Sequence, residues 1–178
     1  MKKSIAALLS AVILVGCGSS KTYFSSNIRQ SVEKSGNSLQ QIQYYIDRDI
    51  TLRREMEIGE TRVESGTVQV ENGKQIVTVR LKKNTPGVCV LTKPGQIGVS
   101  FETGNKRFLM FERPRNAGWA DPYRLITEYN AGKPYVMYEG RRYEVINNGA
   151  QAAVQITKTE EKKIIRTERN MAGRKVSK

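Results

Sequence analysis

Thr67-Val68-Gln69-Val70-Glu71-Asn72-Gly73-Lys74-Gln75-Ile76-Val77-Thr78-Val79-Arg80-Leu81 is the stretch that decides the fold. Apolar and polar residues alternate on both sides of Asn72-Gly73. Alternation sends successive side chains to opposite faces of a strand. Asn-Gly supplies the two left-handed residues that a tight hairpin turn needs. A β-hairpin centred on Asn72-Gly73 is therefore predicted.

The same pattern recurs outward in both directions. Strands are predicted over 41–46, 50–58, 88–91, 97–101, 107–111, 124–129, 134–138, 141–146 and 152–157. Turns are expected at Thr85-Pro86-Gly87, Lys93-Pro94-Gly95, Gly104-Asn105 and Glu139-Gly140. In the second of these strands Ile50, Leu52, Met56 and Ile58 share a face on which Arg54 is the exception. Closely and regularly spaced turns mark an all-β sandwich or barrel. Ser25-Ser26 offers an N-cap for one short helix over 27–35, with Ile28 and Val32 on its buried face and Gly36 as its stop. The expected fold is mainly β: a single antiparallel β-sandwich or partly closed barrel, with that N-terminal helix and a basic C-terminal tail.

Composition narrows the chemistry. The chain has 178 residues, 38% apolar and 26% charged, enough for one packed domain. Lys and Arg number 30 against 17 Asp and Glu, giving a formal charge of +13, and histidine is absent. Without histidine there is no Ser-His-Asp triad, no Cys-His pair and no imidazole metal ligand. The motifs of phosphate-binding loops, dinucleotide-binding folds, serine hydrolases and zinc proteases are missing as well. The sequence therefore points to no enzyme, no metal and no cofactor. Carboxylates two apart, at Asp47/Asp49 and Glu55/Glu57, are read as solvated faces.

The amino terminus reads as an address. Met1-Lys2-Lys3 is followed by an apolar run from Ile5 to Val15. That run is too short to cross a hydrocarbon core of about 30 Å as a helix, and it has the shape of a signal-peptide core. An ordinary signal peptide is the plainer alternative. Leu14-Val15-Gly16-Cys17, followed by Gly18-Ser19-Ser20, resembles the lipobox of bacterial lipoproteins. The resemblance implies cleavage before Cys17 and lipidation of its thiol, with a membrane held through more than one acyl chain. Glycine at position 18 resembles the sorting pattern of lipoproteins sent to the outer membrane, facing the periplasm. The expected organisation is a signal peptide over 1–16, lipidated cysteine and tether over 17–26, a β-rich domain over 27–170 and a flexible basic tail over 171–178. Once Cys17 is lipidated, Cys89 has no disulfide partner, and its neighbours Val88 and Val90 mark it as a core thiol.

Three further features bear on partners. Arg113, Arg115, Trp119, Tyr123 and Arg124 share one Pro/Gly-framed loop that holds the sole tryptophan. Trp, Tyr and Arg dominate binding hot spots. The favoured expectation is that Trp119 folds back to plug one end of the β domain, and the competing one is a partner-binding loop. Lys162, Lys163, Arg166, Arg169, Arg174 and Lys175 form a basic tail suited to anionic lipid or peptidoglycan. Tyr135, Tyr138 and Tyr143 with Arg141 and Arg142 resemble a stacking face for single-stranded nucleic acid. An exported chain meets little nucleic acid, so the rings are expected to pack on the core and nucleic acid is not a predicted partner.

The stretch from Gln43 to Glu55 (QYYIDRDITLRRE), the Gly73-Lys74 turn and Thr85-Pro86-Gly87-Val88 resemble small β-rich lipoproteins of Bacteroidetes. Among these are accessory lipoproteins of trans-envelope machines such as the Bacteroidetes-type type VI secretion system. The resemblance implies a structural or adaptor role among other envelope proteins and no catalytic activity. The alternative is a lipid-anchored β module that encloses a small or polymeric envelope ligand.

Overall fold

The computed structural model describes residues 20–57, 59–60 and 66–165. In chain order they form β1 (Lys21–Tyr23), α1 (Ser26–Lys34), a 3₁₀ turn (Leu39–Gln41), β2 (Gln43–Ile46), β3 (Ile50–Glu55), β4 (Thr67–Glu71), β5 (Lys74–Leu81), β6 (Pro86–Lys93) and β7 (Gln96–Ser100). There follow β8 (Leu109–Glu112), β9 (Arg124–Leu125), β10 (Glu128–Asn130), β11 (Lys133–Tyr138), β12 (Arg141–Ile146), a second 3₁₀ turn (Asn147–Gln151), β13 (Val154–Thr157) and α2 (Lys158–Ile165).

The strands make two antiparallel sheets. One has the order β1-β13-β2-β6-β7-β8-β9 and the other β10-β11-β12-β3-β5-β4. The β4–β5 hairpin turns at Asn72 and Gly73, with φ of 49° and 77°, and closes on the pair Glu71–Lys74. The same left-handed pair recurs at Glu139-Gly140 and, with an alanine in the first place, at Ala131-Gly132. Both sheets turn their apolar rows inward. Ile50, Leu52, Val77, Val136, Tyr143 and Val145 come from the six-stranded sheet, and Tyr44, Ile46, Ile97, Val99, Leu109 and Phe111 from the other. The architecture is a β-sandwich without a closed barrel.

The seven-stranded sheet curls strongly. Beyond β9 the chain meets the start of β13 again: Leu125 N–H donates to the Ala152 carbonyl at 2.8 Å, and Val154 N–H to the Tyr123 carbonyl at 3.1 Å. One isolated bridge, Arg124–Ala153, marks this seam. Phe24 is threaded into it, donating its N–H to the Val154 carbonyl and accepting from Tyr123 N–H, both at 2.9 Å. Its ring meets those of Tyr44 and Tyr123 edge-on, with centroids 5.2 and 5.1 Å apart.

Helix α1 is capped as predicted. Ser25 Oγ accepts from Ile28 N–H at 3.5 Å, Ile28 and Val32 are buried, and Gly36 follows with φ of 72°. Three expectations need correction. The tether expected through Ser26 ends earlier: Lys21–Tyr23 pairs with β13, and Phe24, Ser25 and Ser26 are buried. The strand expected over 124–129 splits into β9 and β10, which belong to different sheets. The break falls where Ile126 N–H donates to the Met110 carbonyl at 2.8 Å and the chain turns away. A second helix, α2, follows β13 and buries Ile164. The signal-peptide segment, Cys17, Ile58 and the tail over 171–178 lie outside the described residues.

Candidate interaction site

The loop between β8 and β9 is built by its own short-range bonds. Ala117 N–H donates to the Pro114 carbonyl at 3.0 Å and Asp121 N–H to the Gly118 carbonyl at 3.2 Å. The Asp121 carboxylate accepts from Gly118 N–H at 2.6 Å. The loop is also fastened to the N-terminal segment: Asn27 N–H donates to the Trp119 carbonyl at 3.1 Å, and Ser25 bridges Pro122. This is a fixed platform that carries its large side chain outward.

Trp119 is 58% exposed. It does not plug the sandwich. The Arg113 guanidinium lies 4.9 Å from the centroid of its ring, within the range of a cation–π contact. Arg115 is exposed. Arg124 is exposed too, and donates to the Gln151 carbonyl at 3.1 Å. Tyr123 has to be removed from the set. It is 1% exposed and belongs to the Phe24 cluster. The reason is parity: Tyr123 and Leu125 point inward and Arg124 outward, an alternation visible in Tyr123-Arg124-Leu125. Trp119→Ala is therefore expected to leave thermal stability within about 0.5 kcal/mol of wild type, as at other surface sites. A thermal melt checks this, and a large drop would restore the plug.

Of the basic tail, Lys162 and Lys163 lie exposed on α2, and Lys163 pairs with Glu160 at 3.3 Å. Arg166, Arg169, Arg174 and Lys175 lie outside the described residues. Helix α2 starts beside the chain's N-terminal side, where Lys158 N–H donates to the Ser20 carbonyl at 2.8 Å. Ser20, the first described residue, thus lies next to the start of α2.

The tyrosine-rich hairpin forms no open stacking face. Tyr138 and Tyr143 are buried, with rings edge-on at 6.2 Å, and the half-buried Tyr135 is covered by Arg142 at 4.2 Å. The Tyr138 hydroxyl donates to Glu102. Burial first, and Glu102 second, push its pKa upward. Cys89 is buried and free, its thiol pushed up by burial, as expected of a core thiol.

Asp47 departs from its expectation as a solvated carboxylate. It is buried and accepts from Ala153 N–H at 2.8 Å, from Arg48, and from the Tyr23 hydroxyl at 3.4 Å. It ties β1, β2 and the start of β13 together and faces no open site. Asp49 accepts from Lys83 N–H at 2.7 Å. Glu55 and Glu57 are each spent on a cation, Lys74 at 2.8 Å and Arg141 at 2.6 Å. Among the described residues no cluster of His, Cys, Asp and Glu is arranged to hold a metal ion, and no helix is long and apolar enough to cross a membrane.

Two features escaped the sequence reading. Arg54, the exception on its face, points inward and forms a two-pronged ion pair with Glu60 at 2.7 and 2.6 Å. The other is a cleft of about 270 Å³ between the sheets, walled by Leu52, Val79, Leu81, Phe101 and Leu109, with Tyr138 and Glu102 on its polar side. No linear signal marks this cleft, because its lining comes from four separate stretches. Compared with protein-family models, with curated proteins and with solved structures, the chain finds no match.

Proposed function

We propose that the protein is a non-enzymatic lipoprotein of the bacterial outer membrane, anchored through Cys17, whose β domain faces the periplasm and serves as a structural adaptor for other envelope proteins. The observation that carries the adaptor reading is the Trp119 platform. An exposed tryptophan stacked by Arg113 sits on a loop bonded to Ser25 and Asn27. A rigid aromatic with a cation beside it loses little conformational entropy on contact, which is why such pairs act as anchors at interfaces. Arg115 and Arg124, exposed at either side of Trp119 in the sequence, add positive charge that steers acidic partners. Exposed lysines on α2 add attraction for anionic lipid or peptidoglycan.

Cys17→Ser is expected to abolish lipid attachment and leave an uncleaved precursor, since the thiol alone can form the thioether. Labelling with palmitate and fractionating membranes checks it, and label retained on the variant would overturn the anchor. For the adaptor role, proteins captured with the wild-type chain from detergent-solubilised envelope are compared with those captured by Trp119→Ala. Loss of a specific companion supports the platform, and an unchanged set removes it.

The cleft between the sheets favours a second reading, a lipid-anchored module that binds a small apolar ligand. Its volume of about 270 Å³ falls just below the usual range for ligand pockets. Leu109→Trp would fill the cleft, so a ligand held there would be lost while the Trp119 contacts persist.

A further inference from the structure

Among the described residues the two sheets end in four edge strands, and three of them are blunted. β1 and β10 have three residues each and β9 has two. β4 is different. It has five residues, all exposed, and contains neither lysine nor proline. Val68 and Val70 are 44% and 71% exposed. The strand's one charge, Glu71, sits at the turn end and is paired with Arg53, and an edge strand of this length with apolar side chains along its middle is a template for another strand.

The register says which backbone groups stand free. In a two-residue hairpin the closing pair, here Glu71–Lys74, exchanges both hydrogen bonds, and bonding pairs then alternate along the ladder. Gln69–Ile76 and Thr67–Thr78 are therefore bonded pairs, while Val70–Gln75 and Val68–Val77 are not. The far side of β5 agrees, because the Gln75 carbonyl accepts from Met56 N–H at 2.8 Å. The N–H and carbonyl groups of Val68 and Val70 thus point away from β5. Among the described residues no strand pairs with them.

β4 is complementary to itself. Set antiparallel to a second copy with Gln69 on the two-fold axis, Val68 lies opposite Val70 of the copy, and each such pair exchanges both its bonds. The four valines lie on the face of the sheet that carries buried Val77. They continue that apolar row across the seam. On the other face Gln69 meets Gln69, and Thr67 meets Glu71. No like charges oppose each other, and Glu71 is already paired with Arg53. We propose that β4 is the contact strand of a symmetric dimer, in which two copies pair antiparallel through Val68 and Val70 and the six-stranded sheet runs on into its copy.

The test is disulfide trapping of the full chain in its native membranes. At a non-bonded antiparallel pair the Cα atoms are about 4.5 Å apart, within reach of a disulfide. Gln69→Cys is expected to give a disulfide-linked homodimer on mild oxidation. Thr67→Cys alone is not, whereas co-expressed Thr67→Cys and Glu71→Cys chains are. Adding Val70→Lys to Gln69→Cys is expected to cut the trapped dimer about tenfold, because it sets a charge in the seam. Val70 is exposed enough that the fold survives this change, and a thermal melt verifies it. Absence of a Gln69→Cys homodimer would overturn the proposal. So would trapping of Thr67→Cys alone with equal yield, which demands another register, or a Gln69→Cys adduct formed only with a different protein.

Discussion

Phe24→Ala is expected to lower stability by about 3–5 kcal/mol, the cost of truncating a fully buried aromatic. In a domain of this size that is a fall of roughly 10 °C in melting temperature. The ring has no exposed surface and contacts Tyr44 and Tyr123 edge-on. Its removal opens a cavity at the seam where β9 meets the start of β13. The backbone bonds of Phe24 to Val154 and Tyr123 hold that seam, so the walls have little freedom to collapse inward. The neighbouring Tyr23 is half exposed on β1 and should cost far less when truncated. Thermal unfolding followed by circular dichroism compares the two. Equal, small effects would mean that this stretch is a tether after all.

Arg54→Ala is expected to cost a similar amount, about 3–5 kcal/mol, because it strands a buried carboxylate. The side chains of Arg54 and Glu60 are 7% and 8% exposed. The Tyr143 ring lies 5.3 Å from the guanidinium, and Arg141 reaches Glu60 at 3.8 Å. Replacing both partners with apolar residues, as in Arg54→Met with Glu60→Leu, should recover most of the loss, since neither charge is then left unpaired. The pair also sets an acid response. The Arg54 guanidinium holds the Glu60 carboxyl down at about 2, against an ordinary value of 4.5. A depressed carboxylate contributes its full stability above the ordinary value and loses it as pH falls through the folded one. Urea midpoints of the wild type should therefore drop between pH 4.5 and about 2 more steeply than those of the double variant. Parallel curves would show that the pair contributes nothing to acid sensitivity.

Much of the sandwich was legible because its signals are local. Asn72-Gly73 set one hairpin, Ser25 capped α1, the period-two row put Ile50 and Leu52 on one face, and the rings of Tyr138 and Tyr143 were expected on the core. What escaped depends on residues distant in sequence. Lys21-Thr22-Tyr23 has no strand signature of its own and becomes β1 because β13 offers an edge. Ala131 gives no turn signal, yet the strands on either side force it left-handed. Asp47 looked solvated beside Arg48, and Ala153 N–H claims it. Arg54 broke its row visibly, but the partner that makes an inward arginine tolerable lies beyond the strand. In the loop between β8 and β9 the structure sets Arg113 over an exposed Trp119 where a plug was favoured, and the inward phase of Tyr123 was overridden by composition.

The pairing of β1 with β13 has a consequence for biosynthesis. Tyr23 is among the earlier residues of the domain to be made, and its partner Gln155 is among the last. An emerging chain must hold Lys21–Tyr23 and the apolar Phe24 unpartnered until almost the whole domain has followed. Pairing so distant in sequence makes for slow folding, in the range of milliseconds to seconds. The seam cannot close while the C-terminal strand is missing, so completion of β13 becomes the step that lets it close.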